Sequence, residues 1–438
     1  MDKIYPTREE VLAEYHAHQE KIKDLPKIDT THYQEIQDFL NAHAEIKSQD
    51  EARVVLNYLN SLKGEWQEYY KIIDSYIYPN IYELIAISHR VLGEEREGIN
   101  LLKECLDVIE HADEYKWLFK IKWRLYQLLS LLYFDLDDIV NTRIALKDSI
   151  FYFLTHHNHT HYNNFDFYSF RPISDYLLDS LKNNYITVTD PQEFNDPVDP
   201  AILHHLDVLA NLTEDKNDQE LYLLQKEIYG QVRIRSLVRI LPLPQKEGRD
   251  VNDIEEIERE RNLTTMWAYY ADFHKGICIK YVFPRSFTDH ETNQDAVLML
   301  SEVAYKPIYN PRKDTFDFKD AFFCKSKLWE YEHESRLVYF HRYKDKKFVP
   351  IALPDNCITE IYIGVRTSNE DKLKLKEAIK DKPGIKLYQM RVSSKNLFEL
   401  EAVEIKREDI RYPSRFSKIN AWFKKLGNIF RTYVLQKK

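Results

Sequence analysis

Glycine is scarce in this chain: nine residues in 438, against 31 tyrosines and 22 phenylalanines. The glycine-rich phosphate cradles are missing with it. No GxGxxG, GxxxxGK[ST], HExxH or GxSxG occurs, which removes dinucleotide fingerprints, P-loops, zincin helices and nucleophile elbows as sources of function. Cysteine is equally sparse. Cys105, Cys278, Cys324 and Cys357 stand far apart without a CxxC, which argues against a disulfide framework or a zinc site and for a reducing compartment. The opening MDKIYPTREEVLAEY lacks the apolar core of a signal peptide. No apolar run approaches the roughly 18 residues of a membrane span. A cytoplasmic protein is expected.

The charge is unevenly spread. The net value is −9, yet from Arg411 onward there are eight Lys and Arg and no acid, so the remainder carries −17. A body that acidic is a poor general binder of nucleic acid, and any such contact is expected to be local. In the tail (406–438), Phe416, Ile419, Phe423, Leu426, Phe430 and Tyr433 fall on one helical stripe among lysines and arginines. That pattern suits docking on the acidic body, or else an anionic partner or membrane surface.

The length points to two or three domains, and 44% hydrophobic with 30% charged residues points to ordered globular structure. Residues 1–160 show apolar positions at helical spacing, among them Val54, Val55, Leu59, Leu62 and Trp66. Two helix-turn-helix units are predicted, one turning at Gly93 and one at 135–138, with Ala145 where the last helix must pack closely. They resemble degenerate tetratricopeptide units, although the turns lie about 42 residues apart and the repeat is usually ~34. An irregular helical bundle is the alternative. Stacked helical pairs of the tetratricopeptide kind would offer a surface for a protein partner. The segment HHNHTHYNN (156–164) has four histidines but no carboxylate support, so it reads as a linker and not a metal site.

From residue 165 the period changes. Strands are predicted at 185–190, 276–283, 335–342, 358–365 and 385–392, rich in β-branched and aromatic residues. Helices are predicted at 173–182, 203–229 and 367–381, and the charged run 244–262 reads as a solvated loop or exposed helix. The fold class is therefore α+β: an all-α region at 1–160, a mixed domain at 165–405 and the basic tail.

Three segments concentrate the chemistry. In KLWEYEHESRLVYF, Glu332, Glu334 and Arg336 alternate, so on one strand they would share a face, with Glu330 and Trp329 just before them. Carboxylates brought together repel, and one of a pair acquires a raised pKa. Glycosyl-bond chemistry uses such a pair. An exposed Glu–Arg ladder is the plainer alternative. In MWAYYADFHKGICIKY, Trp267 and Tyr270 could stack on a planar ring or simply belong to the core, and His274 and Gly276 lead into a strand. In PQEFNDPVDP, Asn195 and Asp196 before Pro197 make a turn at a strand end, and upstream Arg171 suits bidentate phosphate binding.

In this order, with Phe170-Arg171-Pro172 ahead of them, these segments resemble the bacterial family catalogued as domain of unknown function 2971, over about 165–400. The chain departs from that pattern at IRSLVRILPL, where such proteins usually have a Cys-Phe-Ser-like strand. Ser236 is the nearest counterpart of that serine. A weaker resemblance is to ADP-ribosyltransferase-like domains. It implies NAD as substrate, with Arg171 on the pyrophosphate, Tyr270 or Trp267 against nicotinamide, Glu334 at the ribose and Glu332 orienting the acceptor, in a defence or toxin setting. Asn195, Asp196, His274 and Trp329 complete the candidate binding set and Arg336 the catalytic one. No metal is expected on this reading. Two alternatives are a non-catalytic nucleotide sensor and a nuclease in which Asp196, Asp199, Glu332 and Glu334 hold Mg²⁺.

Overall fold

In the computed structural model of the chain, residues 29–411 are described except 73–74, 112–117, 157–165, 195, 197, 241–263, 285–286, 289–291, 308–309, 311–317 and 395–399. Asn195, most of the histidine segment, the charged run and tail residues 412–438 thus lie outside the described residues. The fold is α+β, with helices gathered in the N-terminal part and strands in the C-terminal part.

The first part comprises α1 (Tyr33–Ala42), α2 (Gln49–Ser61), α3 (Lys63–Trp66), α4 (Ile77–Leu92), α5 (Glu95–His111), α6 (Lys122–Asp135) and α7 (Ile139–His156). Both predicted helical hairpins are present. Gly93 ends α4 in the left-handed region at φ 75°, where its N–H reaches Arg90 O and that of Glu94 reaches His89 O. Between α6 and α7, Asp137 is left-handed and the Asp138 carboxylate accepts the Asn141 N–H at 3.1 Å. Val55, Leu59, Trp66, Leu102, Leu125 and Leu129 share one core. Val54, one residue off that stripe, points outward.

The second part has β1 (Asp166–Arg171), β2 (Tyr185–Thr189), β3 (Arg233–Ile240), β4 (Ile277–Tyr281), β5 (Ala296–Glu302), β6 (Ala304–Lys306), β7 (Cys324–Ser326), β8 (Glu334–His341), β9 (Phe348–Ala352), β10 (Ile358–Ile363), β11 (Lys386–Val392) and β12 (Leu400–Ile405). Its helices are α8 (Asp175–Asn183), α9 (Ala201–Leu212), α10 (Lys216–Tyr229), α11 (Phe318–Phe323) and α12 (Asn369–Ala378). The five predicted strands correspond to β2, β4, β8, β10 and β11. The predicted helix 203–229 is two helices, because Asp215 accepts the N–H groups of Asn217 and Asp218 and so starts a new one.

Ten strands form one sheet in the order β12-β11-β10-β4-β1-β3-β2-β9, with β8 and β5 branching from β3. The branch positions the site. One edge of β3 pairs with β8 from Arg233 to Val238. Its other edge pairs with β1 only at 238–240 and with β2 only at Ile234. Between those points β1 and β2 diverge and leave a gap beside 235–237.

Hydrophobic cores cover both faces. Leu298, Leu300 and Leu337 join α8 and α12 through Leu181, Leu375 and Ile379. Val297, Met299, Val338 and Phe340 instead join α7, α10 and α11 through Ile150, Ile228 and Phe322. On β5 this alternation puts one apolar side chain in each core, so the strand shows no polar face.

Candidate functional site

Glu334 opens β8, and the residue before it decides the geometry. His333 is left-handed at φ 44°, which breaks the chain between the short 3₁₀ turn Lys327–Glu332 and the strand. Glu332 therefore does not share a strand face with Glu334 and Arg336, contrary to the alternation expected from sequence. The kink brings the two carboxylates together by another route. Both reach Lys325 Nζ, Glu332 at 2.7 Å and Glu334 at 3.0 Å. Asp199 completes the group, with its Oδ2 at 3.7 Å from the same ammonium.

Arg336 closes the cluster from behind. It donates to both Asp199 oxygens at 2.7 and 2.6 Å, to Glu334 Oε1 at 2.8 Å and to the Phe322 carbonyl at 2.7 Å. It is wholly buried, and Glu332 and Glu334 are each 4% exposed. Three carboxylates and two cations leave one net negative charge. Tyr270 Oη donates to Glu332 Oε1 at 2.5 Å, and Tyr305 Oη accepts the Glu334 N–H at 2.8 Å.

The environment separates the titration of the carboxylates. Burial pushes Glu334 upward, but Arg336 and Lys325 outweigh it, with hydrogen bonds from Arg336 and Ser236, and hold it at about 2. Burial raises Glu332, and the nearby Glu334 adds to the rise, despite Lys325 and Tyr270. Asp199 is likewise raised by burial and by Glu334, against the pull of Arg336 and Lys325. One permanent anion therefore stands beside carboxyls that hold a proton more readily. Enzymes that need distinct acid and anionic roles use this arrangement.

A cleft of roughly 630 Å³ opens onto the cluster at the gap in β3. Arg171, Tyr270, Glu332 and Glu334 all line it. Strand alternation gives the cleft two sides. Tyr168 and Phe170 lie on the β1 face that packs with Trp267, whereas Ser169 and Arg171 share the parity of Phe167 on the other face. Arg171 has its pKa lowered by burial, with Tyr281 opposing the shift.

Not every candidate reaches the cleft. Trp267 is buried core, edge-on to Phe170 at 5.3 Å and stacked on His274 at 6.4 Å, so the plainer reading of its spacing holds. Trp329 packs over Lys325, whose Nζ is 5.0 Å from its ring. Asp196 turns its carboxylate to the Val198 N–H at 3.1 Å, as the turn signal implied. Glu330 is exposed. Gly276 does permit a close approach, but of backbone: a Cβ there would lie 2.1 Å from the Arg171 carbonyl oxygen.

Sequence reasoning missed Lys325, which lies outside the three quoted segments, on β7, paired with β6 and seven residues before Glu332. It also missed Arg235, whose Nη2 donates to Ser169 Oγ while its buried Nε has no partner among the described residues. Ser236, named as a weak counterpart of the family serine, lines the cleft and hydrogen-bonds Glu334.

Among the described residues no group of three or more His, Cys, Asp or Glu is arranged to hold a metal ion, and no helix is long and apolar enough to cross a membrane. Comparison with protein-family models, curated proteins and solved structures finds no match for this chain.

Proposed function

We propose that the cleft binds NAD or a related nucleotide and cleaves or transfers its ADP-ribose. The observation that carries this reading is that Arg171, Tyr270, Glu332 and Glu334 line one cavity of about 630 Å³. That size suits a small-molecule ligand. In this reading Arg171 takes the pyrophosphate and Tyr270 faces the base. The glycosidic C–N bond breaks with its electron pair leaving on nicotinamide. Glu334, held ionised, stabilises the positive ribosyl centre. Glu332, with its raised pKa, receives the proton of the incoming water or acceptor hydroxyl as the new C–O bond forms. Membership of the 2971 family and recruitment of a protein partner by the helical region belong to the same proposal.

The test is to follow nicotinamide release from NAD by the full chain. Glu334→Gln should slow it at least 100-fold, which corresponds to about 2.7 kcal/mol of lost transition-state stabilisation. Glu332→Gln should slow transfer to an acceptor more than it weakens binding. A wild-type chain that neither binds nor consumes NAD sinks the proposal.

A second reading is favoured by the pairing of both glutamates with Lys325, which leaves the cluster satisfied without a ligand. The cleft would then sense a nucleotide and show saturable binding without turnover. The metal-dependent nuclease is less well supported. The Lys325 ammonium lies between Asp199, Glu332 and Glu334, where a divalent cation would have to sit, and Asp196 is spent on its own turn.

A further inference from the structure

A second cavity, of about 510 Å³, shares no lining residue with the cleft. It lies where β10, α12 and β11 form a crossover unit, with β10 and β11 parallel. In open sheets, ligands of such units gather beyond the carboxyl ends of the strands, beside the start of the connecting helix. The cavity occupies that position. Asn369 begins α12, Lys372 follows one turn later, Arg391 is near the end of β11, and Arg411 comes from beyond β12.

The charge there is unbalanced. Lys372, Arg391 and Arg411 form no ion pair among the described residues, in a molecule where Arg336, Arg342 and Arg233 all do. Among the described residues Arg411 spends only its Nε, on the Glu408 carbonyl at 2.7 Å. Asp409 lines the same cavity, but its carboxylate accepts the Lys406 N–H at 3.1 Å and is held in that turn. Burial, and then the neighbouring Arg391, lower the pKa of Lys372. Three cations against the single Asp409 carboxylate leave the lining net positive, and a bound anion would offset that charge.

We infer that this cavity is a separate binding site for the phosphoryl group of a small phosphorylated ligand. The three cations supply the charge. The Arg391 guanidinium supplies the forked donors that match phosphate oxygens. The inference does not depend on the cleft being an NAD site.

The probe is inorganic pyrophosphate, titrated calorimetrically into the full chain at low salt. Saturable binding is expected, and the double variant Lys372→Gln/Arg391→Gln should weaken it at least 10-fold. Arg171→Gln/Arg235→Gln, which alters only the cleft, should leave this binding in place. Thermal melting guards against a folding artefact. Without ligand the Lys372→Gln/Arg391→Gln protein should melt no lower than wild type, having lost a repulsion, and pyrophosphate should raise the variant's midpoint less than the wild-type one. Absence of wild-type binding, equal binding by the Lys372→Gln/Arg391→Gln variant, loss confined to the Arg171→Gln/Arg235→Gln variant, or equally strong binding of sulfate at matched ionic strength each overturn the inference. Absence of both NAD binding and NAD turnover with pyrophosphate binding intact would sink the proposed function and leave this site standing.

Discussion

Arg336 is joined to two carboxylates and a carbonyl in a fully buried position, so its loss strands charges where water cannot reach. Arg336→Met is expected to destabilise the fold by about 3–5 kcal/mol, measured by urea unfolding, and Arg336→Lys should not rescue it because an ammonium lacks the planar fork. The pH dependence of Glu334 follows from its pKa, lowered from 4.5 to about 2. A carboxyl whose folded pKa is depressed contributes stability above its unfolded value and loses it as pH falls through the folded one. The stability gap between wild type and Glu334→Gln should therefore narrow as pH drops from 4.5 toward 2. A gap that stays constant across that window would contradict the ion-paired state of Glu334. The ExE spacing and the arginine after it were legible in the sequence. The left-handed His333 was not, because an isolated positive φ at a non-glycine residue leaves no reliable mark on composition.

At the scale of elements, two close backbone approaches hold the sheet around the cleft. A Cβ on Gly276 would sit 2.1 Å from the Arg171 carbonyl oxygen, and one on Gly364 would sit 2.2 Å from that of His274. Neither obstacle is a flexible side chain, so the strands themselves would have to move. Gly276→Ala and Gly364→Ala should each cost about 1–3 kcal/mol, at the level of other overpacked sites, and unfolding midpoints will show it. The predicted strands were those with β-branched runs between turn formers. The missed ones follow other logic. β5 reads AVLMLSE because both its faces are buried, and β9 contains Pro350 and pairs only with β2. Periodicity cannot identify a strand that alternates between two apolar environments.

Across the whole molecule, α7 ties the helical region to the sheet. Ala145 belongs to the first core, while Leu146, Ile150, Phe153 and Leu154 pack with Val338, Phe340 and Phe322 in the second. Arg342 adds an ion pair to Asp148 at 2.8 Å. Phe322 in turn offers its carbonyl to Arg336, so a continuous set of contacts runs from α7 to the carboxylate cluster. Ile150→Ala should cost about 2–5 kcal/mol. A fragment beginning at residue 166 should expose the apolar face of β8 and aggregate, as size-exclusion chromatography would reveal. If that fragment is monomeric with wild-type stability, α7 is not part of the second core in solution.

The sequence by itself determined the α+β class, the two helical hairpins, five strands and the residue types of the site. Each is a local consequence of spacing, capping and turn chemistry, which act over a few neighbours. Only the tertiary structure decided that Arg171, Tyr270, Glu332 and Glu334 line one cleft, that Trp267 is core, and that Lys325 and Arg336 pair with the carboxylates. Those facts depend on which strands pair and where β1 and β2 diverge from β3. Such pairings join residues more than a hundred positions apart, as Arg336 and Asp199 are, and no local pattern encodes them.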